Sequence, residues 1–256
     1  MVRALTEVAA RFSSADVLVL CYHQVRSRAR FADQMALLSE RGYSVLSMEQ
    51  FIEWLRGSPL PSRPAALLTF DHCYASQLDS AVPVLEARKL PATFFPASAG
   101  LIHELPDVTA DSRDTLLALA KAGHTIGCHT QSHPVLTRLS STHVRRELRG
   151  SKLALEDALG QRVSAFCYPY GAYDARVREI VQETGFDVAF TVDLGGVNRG
   201  DDPYLLKRVP ILGEPSSAQF GVYLSGRFLV SGSILLYWKV RERVLDRKTS
   251  EPEREE

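Results

Sequence analysis

The chain has 256 residues, 45% of them hydrophobic and 23% charged, enough for one large domain with a substantial core. Thirty basic residues balance thirty acidic ones, so no nucleic-acid footprint is present and a neutral or uncharged-polar ligand suits the chain better than a polyanion. The longest apolar stretch, 228–238, is too short to span a bilayer and is interrupted by Ser and Gly.

The first dozen residues read as an amphipathic helix and lack the apolar run and small-residue cleavage site of a signal peptide. With four cysteines in no disulfide framework, the expected compartment is the cytoplasm. Apolar, β-rich runs then recur at 17–23, 65–71, 92–98, 124–129, 164–170, 187–192 and 205–211. Amphipathic helical patterns separate them at 31–43, 48–57, 76–89, 112–123, 142–160 and 174–185. Strand–helix alternation predicts an α/β fold on a parallel sheet, open or closed into a barrel. The expected division is an N-terminal helix over 1–16, one domain over 17–214, a C-terminal packing segment over 215–245 and a disordered charged tail over 246–256. For the segment before the tail, packing on the domain is the expected role, with a membrane surface or a partner as the other reading.

Functional groups of α/β folds gather at the carboxyl ends of strands, and the polar residues of interest fall there: His23, Asp71 with His72, His129, and Tyr170 with Gly171. In HTQSH, His129 and His133 are spaced to meet one metal ion if the segment enters a helix; otherwise the stretch is a polar turn. At the strand end LLTFDHCY, Asp71 is placed to act as a general base on a metal-bound water, with His72 as third ligand; the plainer reading of Asp71 is a helix cap. The stretch FCYPYGAYD forms a rigid turn that either aims backbone N–H groups at a developing oxyanion or is only a turn.

Taken in order, LVLCYHQV, TFDHCY, ATFF, HTQSHP, YPYG and a late Arg-containing strand resemble the polysaccharide deacetylase family (NodB-homology, carbohydrate esterase 4) from about residue 17 to residue 212. The resemblance implies a distorted (β/α)7 barrel and removal of N-acetyl, or O-acetyl, groups from an amino sugar, glycoconjugate or oligosaccharide. It implies a divalent ion, Zn2+ or one such as Co2+, Ni2+ or Fe2+. It makes Asp71 the base, His129 and His133 ligands, and Tyr170 the donor of an oxyanion-binding backbone N–H.

Three departures from that pattern matter. Where the family reads TFDDGY, this chain has His72 for the ligand carboxylate and Cys73 for glycine, so the site is either a retuned three-histidine centre or a disabled one. Glycine at that place suggests a backbone with positive φ, which Cys73 tolerates poorly. Cys167 stands where many relatives carry an Arg that pairs with the catalytic Asp; Arg208 is the candidate substitute, or else a surface charge on a strand edge. No histidine follows His143, so the family's late histidine is missing and His23 becomes the candidate general acid. Tyr22, Tyr74, Tyr168 and Tyr170 offer faces for sugar stacking. All four cysteines adjoin these motifs; most are expected to turn into packing, with Cys73 an alternative thiolate ligand. The expected partner is an N-acetylated carbohydrate substrate. The alternative is a non-enzymatic carbohydrate-binding or interaction protein on the same barrel.

Overall fold

The structure, a computed structural model, describes residues 15–98 and 112–225. Its strands are β1 (Val17–Tyr22), β2 (Ser44–Leu46), β3 (Ala65–Asp71), β4 (Thr93–Phe95), β5 (Thr125–Ile126), β6 (Ala165–Cys167), β7 (Val188–Leu194) and β8 (Leu206–Pro210). Its α-helices are α1 (Arg28–Glu40), α2 (Met48–Leu55), α3 (Val82–Arg88), α4 (Arg113–Lys121), α5 (Ser141–Leu159), α6 (Ala175–Glu183) and α7 (Ser217–Leu224).

The pairing order is β5-β4-β3-β1-β8-β7-β6, all parallel, and one parallel bridge from Cys128 to Phe166 joins the two ends. Seven strands thus form a nearly closed barrel, the distorted (β/α)7 form expected from the sequence. β2 lies off the ring: it pairs with the first half of β3, and β4 takes the second half. Three residues carry no periodic pattern, which is why the sequence does not announce β2. Between β7 and β8 the chain crosses without a helix.

Polar caps set where the helices begin. Ser27, Ser47, Ser112, Ser140, Asp174 and Ser216 each accept a hydrogen bond from the backbone three residues on, satisfying a donor the first turn cannot pair internally. α1 starts three residues before the predicted 31, because Ser27 and the basic residues that follow contribute no apolar periodicity. α7 packs on α1: Arg41 Nη1 donates to the Gly221 carbonyl at 3.1 Å, and the Tyr43 hydroxyl to that of Leu224 at 3.3 Å. The predicted N-terminal helix falls almost wholly, and the predicted charged tail entirely, outside the described residues. Among the described residues no helix is long and apolar enough to cross a membrane.

Alternation along the strands divides the core in two. Leu18, Leu20, Tyr22, Phe70, Phe94 and Phe166 point outward under the helices. Val17, Val19, Ala65, Leu67, Ala165, Val188, Phe190 and Leu206 fill the lower interior, where Phe51 and Trp54 of α2 close the bottom. Towards the carboxyl ends the same inward positions become Cys21, Thr69, Asp71, Cys167 and Arg208, all buried. The apolar plug therefore supports a polar layer. At the closing seam, a Cβ on Gly127 would sit 2.3 Å from the Phe95 ring and 3.1 Å from the Ala165 carbonyl. Gly127→Ala is expected to cost about 1–3 kcal/mol of stability, measured by urea unfolding, because strand and ring must separate to admit the methyl group.

Candidate metal centre and active site

At the centre of the polar layer lies an ion pair. Arg208 Nη1 and Nη2 donate to Asp71 Oδ1 and Oδ2 at 2.7 and 2.8 Å, a two-pronged contact between fully buried groups. Arg208 is not the edge charge that one sequence reading allowed. Its Nε donates to the Thr191 carbonyl at 2.8 Å and its Nη1 to Thr69 Oγ1 at 3.3 Å. A bulge places that carbonyl: between the pairings Phe190–Leu206 and Leu194–Arg208, β7 contains two more residues than β8. Burial alone would push the Asp71 carboxyl up, but the charge and hydrogen bonds of Arg208 hold it well below the usual carboxylate range.

Two thiols flank this carboxylate. Cys21 Sγ and Cys167 Sγ each lie 3.6 Å from Asp71 Oδ2, and Arg208 Nη2 reaches Cys167 Sγ at 3.1 Å. These two cysteines correct the expectation that most would turn away. Cys21 shares strand parity with His23, and Cys167 shares it with inward-facing Ala165. Burial raises both thiols above their ordinary value, so both stay protonated. The other two do pack as expected: Cys128 Sγ meets Ser151 Oγ at 2.6 Å under α5, and Cys73 belongs to the outer core rather than to a ligand set.

Above the ion pair three imidazoles converge. One ring nitrogen from each of His72, His129 and His133 lies within 4.8 Å of the others, and the Nε2 atoms of His129 and His133 are 3.0 Å apart. His129 Nδ1 donates to the Cys167 carbonyl at 2.7 Å, which leaves Nε2 with its lone pair. His129 and His133 do not meet across a helix, as their spacing suggested. They meet across a turn in which Thr130 and His133 take positive φ of 68° and 56°, with Thr130 Oγ1 accepting from the His133 N–H. Glu147 of α5 holds this turn, accepting from the backbone of Gln131 at 2.9 Å and from the backbone and hydroxyl of Ser132 at 3.0 and 2.8 Å. Nothing in the sequence marks Glu147, since it reaches back across 16 residues to backbone groups. His72 enters from the end of β3, and His72 and Cys73 have φ of 72° and 53°. Position 73 therefore does have the positive φ that the departure from glycine raised, and the chain adopts it with the thiol buried.

Burial pushes His72 down to about 4 and takes His129 well below the usual imidazole range, with the neighbouring His133 adding to the fall at His129. Three imidazole nitrogens this close together fit a divalent ion with an open position, so the donor set suits the metal that the resemblance implies. His23 stands beside the cluster, its Nε2 3.9 Å from Asp71 Oδ2 and its ring 5.6 Å from that of His72. Burial lowers its pKa, and Asp71 only partly offsets this.

Tyr170 caps the other side, its ring 4.6 Å from His133 and its backbone at φ 57°. Next to it Gly171 must be glycine, as a Cβ would meet Val192 Cγ2 at 2.3 Å. Tyr74, with its ring 5.1 Å from His72, and His23 line a cavity of about 330 Å³ with Arg26, Leu212 and Glu214. Tyr168 and Tyr22 do not join the site. Tyr168 faces outward, stacks among Phe166 and Tyr173 and donates its hydroxyl to the Tyr204 carbonyl; Tyr22 packs on Phe70. A larger cavity of about 600 Å³ lies at the opposite end of the barrel, but its charges are engaged: Asp16 pairs with Arg63, and Arg199 donates to the Gly57 carbonyl. The smaller cavity, which His23 and Tyr74 line, adjoins the histidine cluster.

The sequence profile described as polysaccharide deacetylase matches residues 60–189, just over half of the chain. The chain belongs to the polysaccharide deacetylase family. Among relatives of this deacetylase-family chain, YxkH of Bacillus subtilis (strain 168) is 27% identical over 219 residues, covering 82% of this chain and 76% of that one. The poly-beta-1,6-N-acetyl-D-glucosamine N-deacetylase of Staphylococcus aureus (strain MSSA476) is 22% identical over 195 residues, 72% of this chain and 67% of that one. Among solved structures, IcaB from Ammonifex degensii superposes with a TM-score of 0.75 at 26% identity, over 83% of this chain and 98% of that one.

Two outcomes follow from this deacetylase-family site. Because Asp71 releases its proton more readily folded than unfolded, its ionisation stabilises the fold above the unfolded value near 3.8, and that contribution is lost as pH falls through the folded value. The stability gap between wild type and Asp71→Asn should therefore be constant from pH 7 to about pH 5 and close below pH 3.8, as read by denaturant melts at each pH. Glu147→Ala frees the turn that carries His129 and His133 and should weaken Zn2+ retention about 10-fold or more in chelator competition.

Proposed function

We propose that the protein is a metal-dependent hydrolase that removes an N-acetyl group from an amino sugar, glycoconjugate or oligosaccharide. The observation that carries this reading is the convergence of His72, His129 and His133 directly above the Arg208-paired Asp71. His72 joins the other two imidazoles despite replacing a carboxylate, which favours a working three-histidine site over a barrel that has lost its chemistry. The S. aureus relative named for N-deacetylation of an N-acetylglucosamine polymer supports the substrate class. Zn2+ suits the donor set, and Co2+, Ni2+ or Fe2+ would accept it too.

When bound, the ion supplies Lewis acidity, polarising the amide carbonyl and making water acidic enough to attack near neutral pH. The remaining work falls to the chain. Asp71, kept ionised and aimed by Arg208, accepts the proton of the attacking water at Oδ2. His23 Nε2, 3.9 Å from that oxygen, starts neutral, takes the proton on and delivers it to the departing amine. The backbone at Tyr170 turns an N–H towards the oxyanion, and the cavity beside Tyr74 receives the sugar. O-acetyl groups would pass through the same sequence, with an alcohol leaving in place of an amine.

The test is metal analysis after incubation with Zn2+ and exhaustive dialysis, run beside acetate release from N-acetylated chitooligosaccharides. Wild type should retain about one metal per chain and release acetate, and His129→Ala should do neither. Asp71→Asn should keep the metal and lose about 10³-fold or more in kcat. A wild-type protein that keeps no metal and releases no acetate, but gains metal on His72→Asp, would instead make this a carbohydrate-binding barrel without catalysis.

A further inference from the structure

The pairing of β1 with β3 ends at Tyr22 opposite Phe70, one residue short of His23 and Asp71. Beyond that point no strand pair sets the distance between these two residues, although the proposed proton path runs between them. A side chain takes over. Gln77 Nε2 donates to the backbone carbonyl of Asp71 at 2.8 Å and, with its second hydrogen, to that of His23. The two donors of one amide thus bridge the two strand ends, as a further rung of sheet would.

The surroundings of Gln77 bear on why it is there. It is fully buried, and its Oε1 has no hydrogen-bond partner among the described residues, a cost that a purely structural amide does not need to carry. It opens a π-helical turn, Gln77–Ala81, and its own N–H is fixed to the Tyr74 carbonyl at 2.8 Å. Such turns interrupt helices at a stability cost and recur at functional sites. The wider turn here directs the amide back under the strand ends, into the gap left where pairing stops.

We infer that Gln77 is a positioning residue: by bridging the His23 and Asp71 carbonyls it sets the spacing between the imidazole and the carboxylate that share the proton. This rests on the deacetylase reading for its consequence in catalysis, but not for its effect on His23. Gln77 itself belongs neither to the three-imidazole cluster nor to the lining of the substrate cavity, so its removal should separate proton transfer from metal binding.

The experiment uses Gln77→Met and Gln77→Leu, which keep apolar bulk and remove both donors; if one fails to fold, the other carries the measurement. In the metal-free protein with isotope-labelled histidine, the ring signals of His23, assigned with His23→Asn, should move while those of His129 and His133 stay. With Zn2+ loaded and N-acetylated chitooligosaccharide as probe, kcat should fall about 10- to 100-fold with KM within about threefold, at unchanged metal content. His23 signals that coincide with wild type would overturn the inference. So would loss of metal and thermal stability in step with kcat, or loss of the fold in both variants, since either makes Gln77 a structural amide only. A wild type that releases no acetate overturns the deacetylase reading, and the His23 signals then still decide the role of Gln77.

Discussion

A guanidinium with no exposure to solvent constrains everything around it. Arg208 is buried inside the barrel, where an unpaired charge would cost several kcal/mol, and the fold answers each of its edges. Asp71 takes two of its donors, the Thr191 carbonyl a third, and Thr69 Oγ1 shares a fourth after donating its own hydrogen to the Leu20 carbonyl. The bulge in β7, the hydroxyl on β3 and the thiol on β6 all serve that one ion. Asp71 is consequently fixed in direction as well as in charge.

The electrostatics of the site follow from this arrangement. Arg208 and Asp71 cancel, so the pair brings no net charge to the barrel mouth. Above them, burial lowers His72 and His129 below the usual imidazole range. Where a family member with a ligand carboxylate would offer an incoming cation an opposite charge, this chain places the His72 imidazole. How the imidazoles are aimed rests on the turn at Thr130–His133 and on Glu147 behind it.

Much of this was legible in the sequence, for identifiable reasons. Apolar runs located the ring strands, and strand ends located His23, Asp71, His72 and His129. Their extents were overdrawn where pairing stops early: β5 was expected over 124–129, but after Ile126 the chain leaves β4 to bridge to Phe166. Arg208 could be singled out in the sequence, but not its burial: alternation along β8 leaves Lys207 exposed and sends Arg208 into the barrel. Tyr168 was misplaced because it was read as part of a turn, whereas its parity opposite Cys167 sends it into the outer core. Glu147 and Gln77 left no trace, since a side chain bonded to distant backbone has no local pattern to show.

The seam of the barrel carries one further consequence. β1 and β3 share six paired positions, but β5 and β6 are joined by a single bridge, the Cys128 N–H to the Ala165 carbonyl and the Cys167 N–H to that of Cys128. The next contact along that seam is His129 Nδ1 to the Cys167 carbonyl, a side chain doing what backbone does elsewhere. His129 is thus at once a member of the three-imidazole cluster and a stitch in the wall. The ring of strands is least secured where two of its three imidazoles hang, and whatever draws those imidazoles together with His72 of β3 also draws the wall shut.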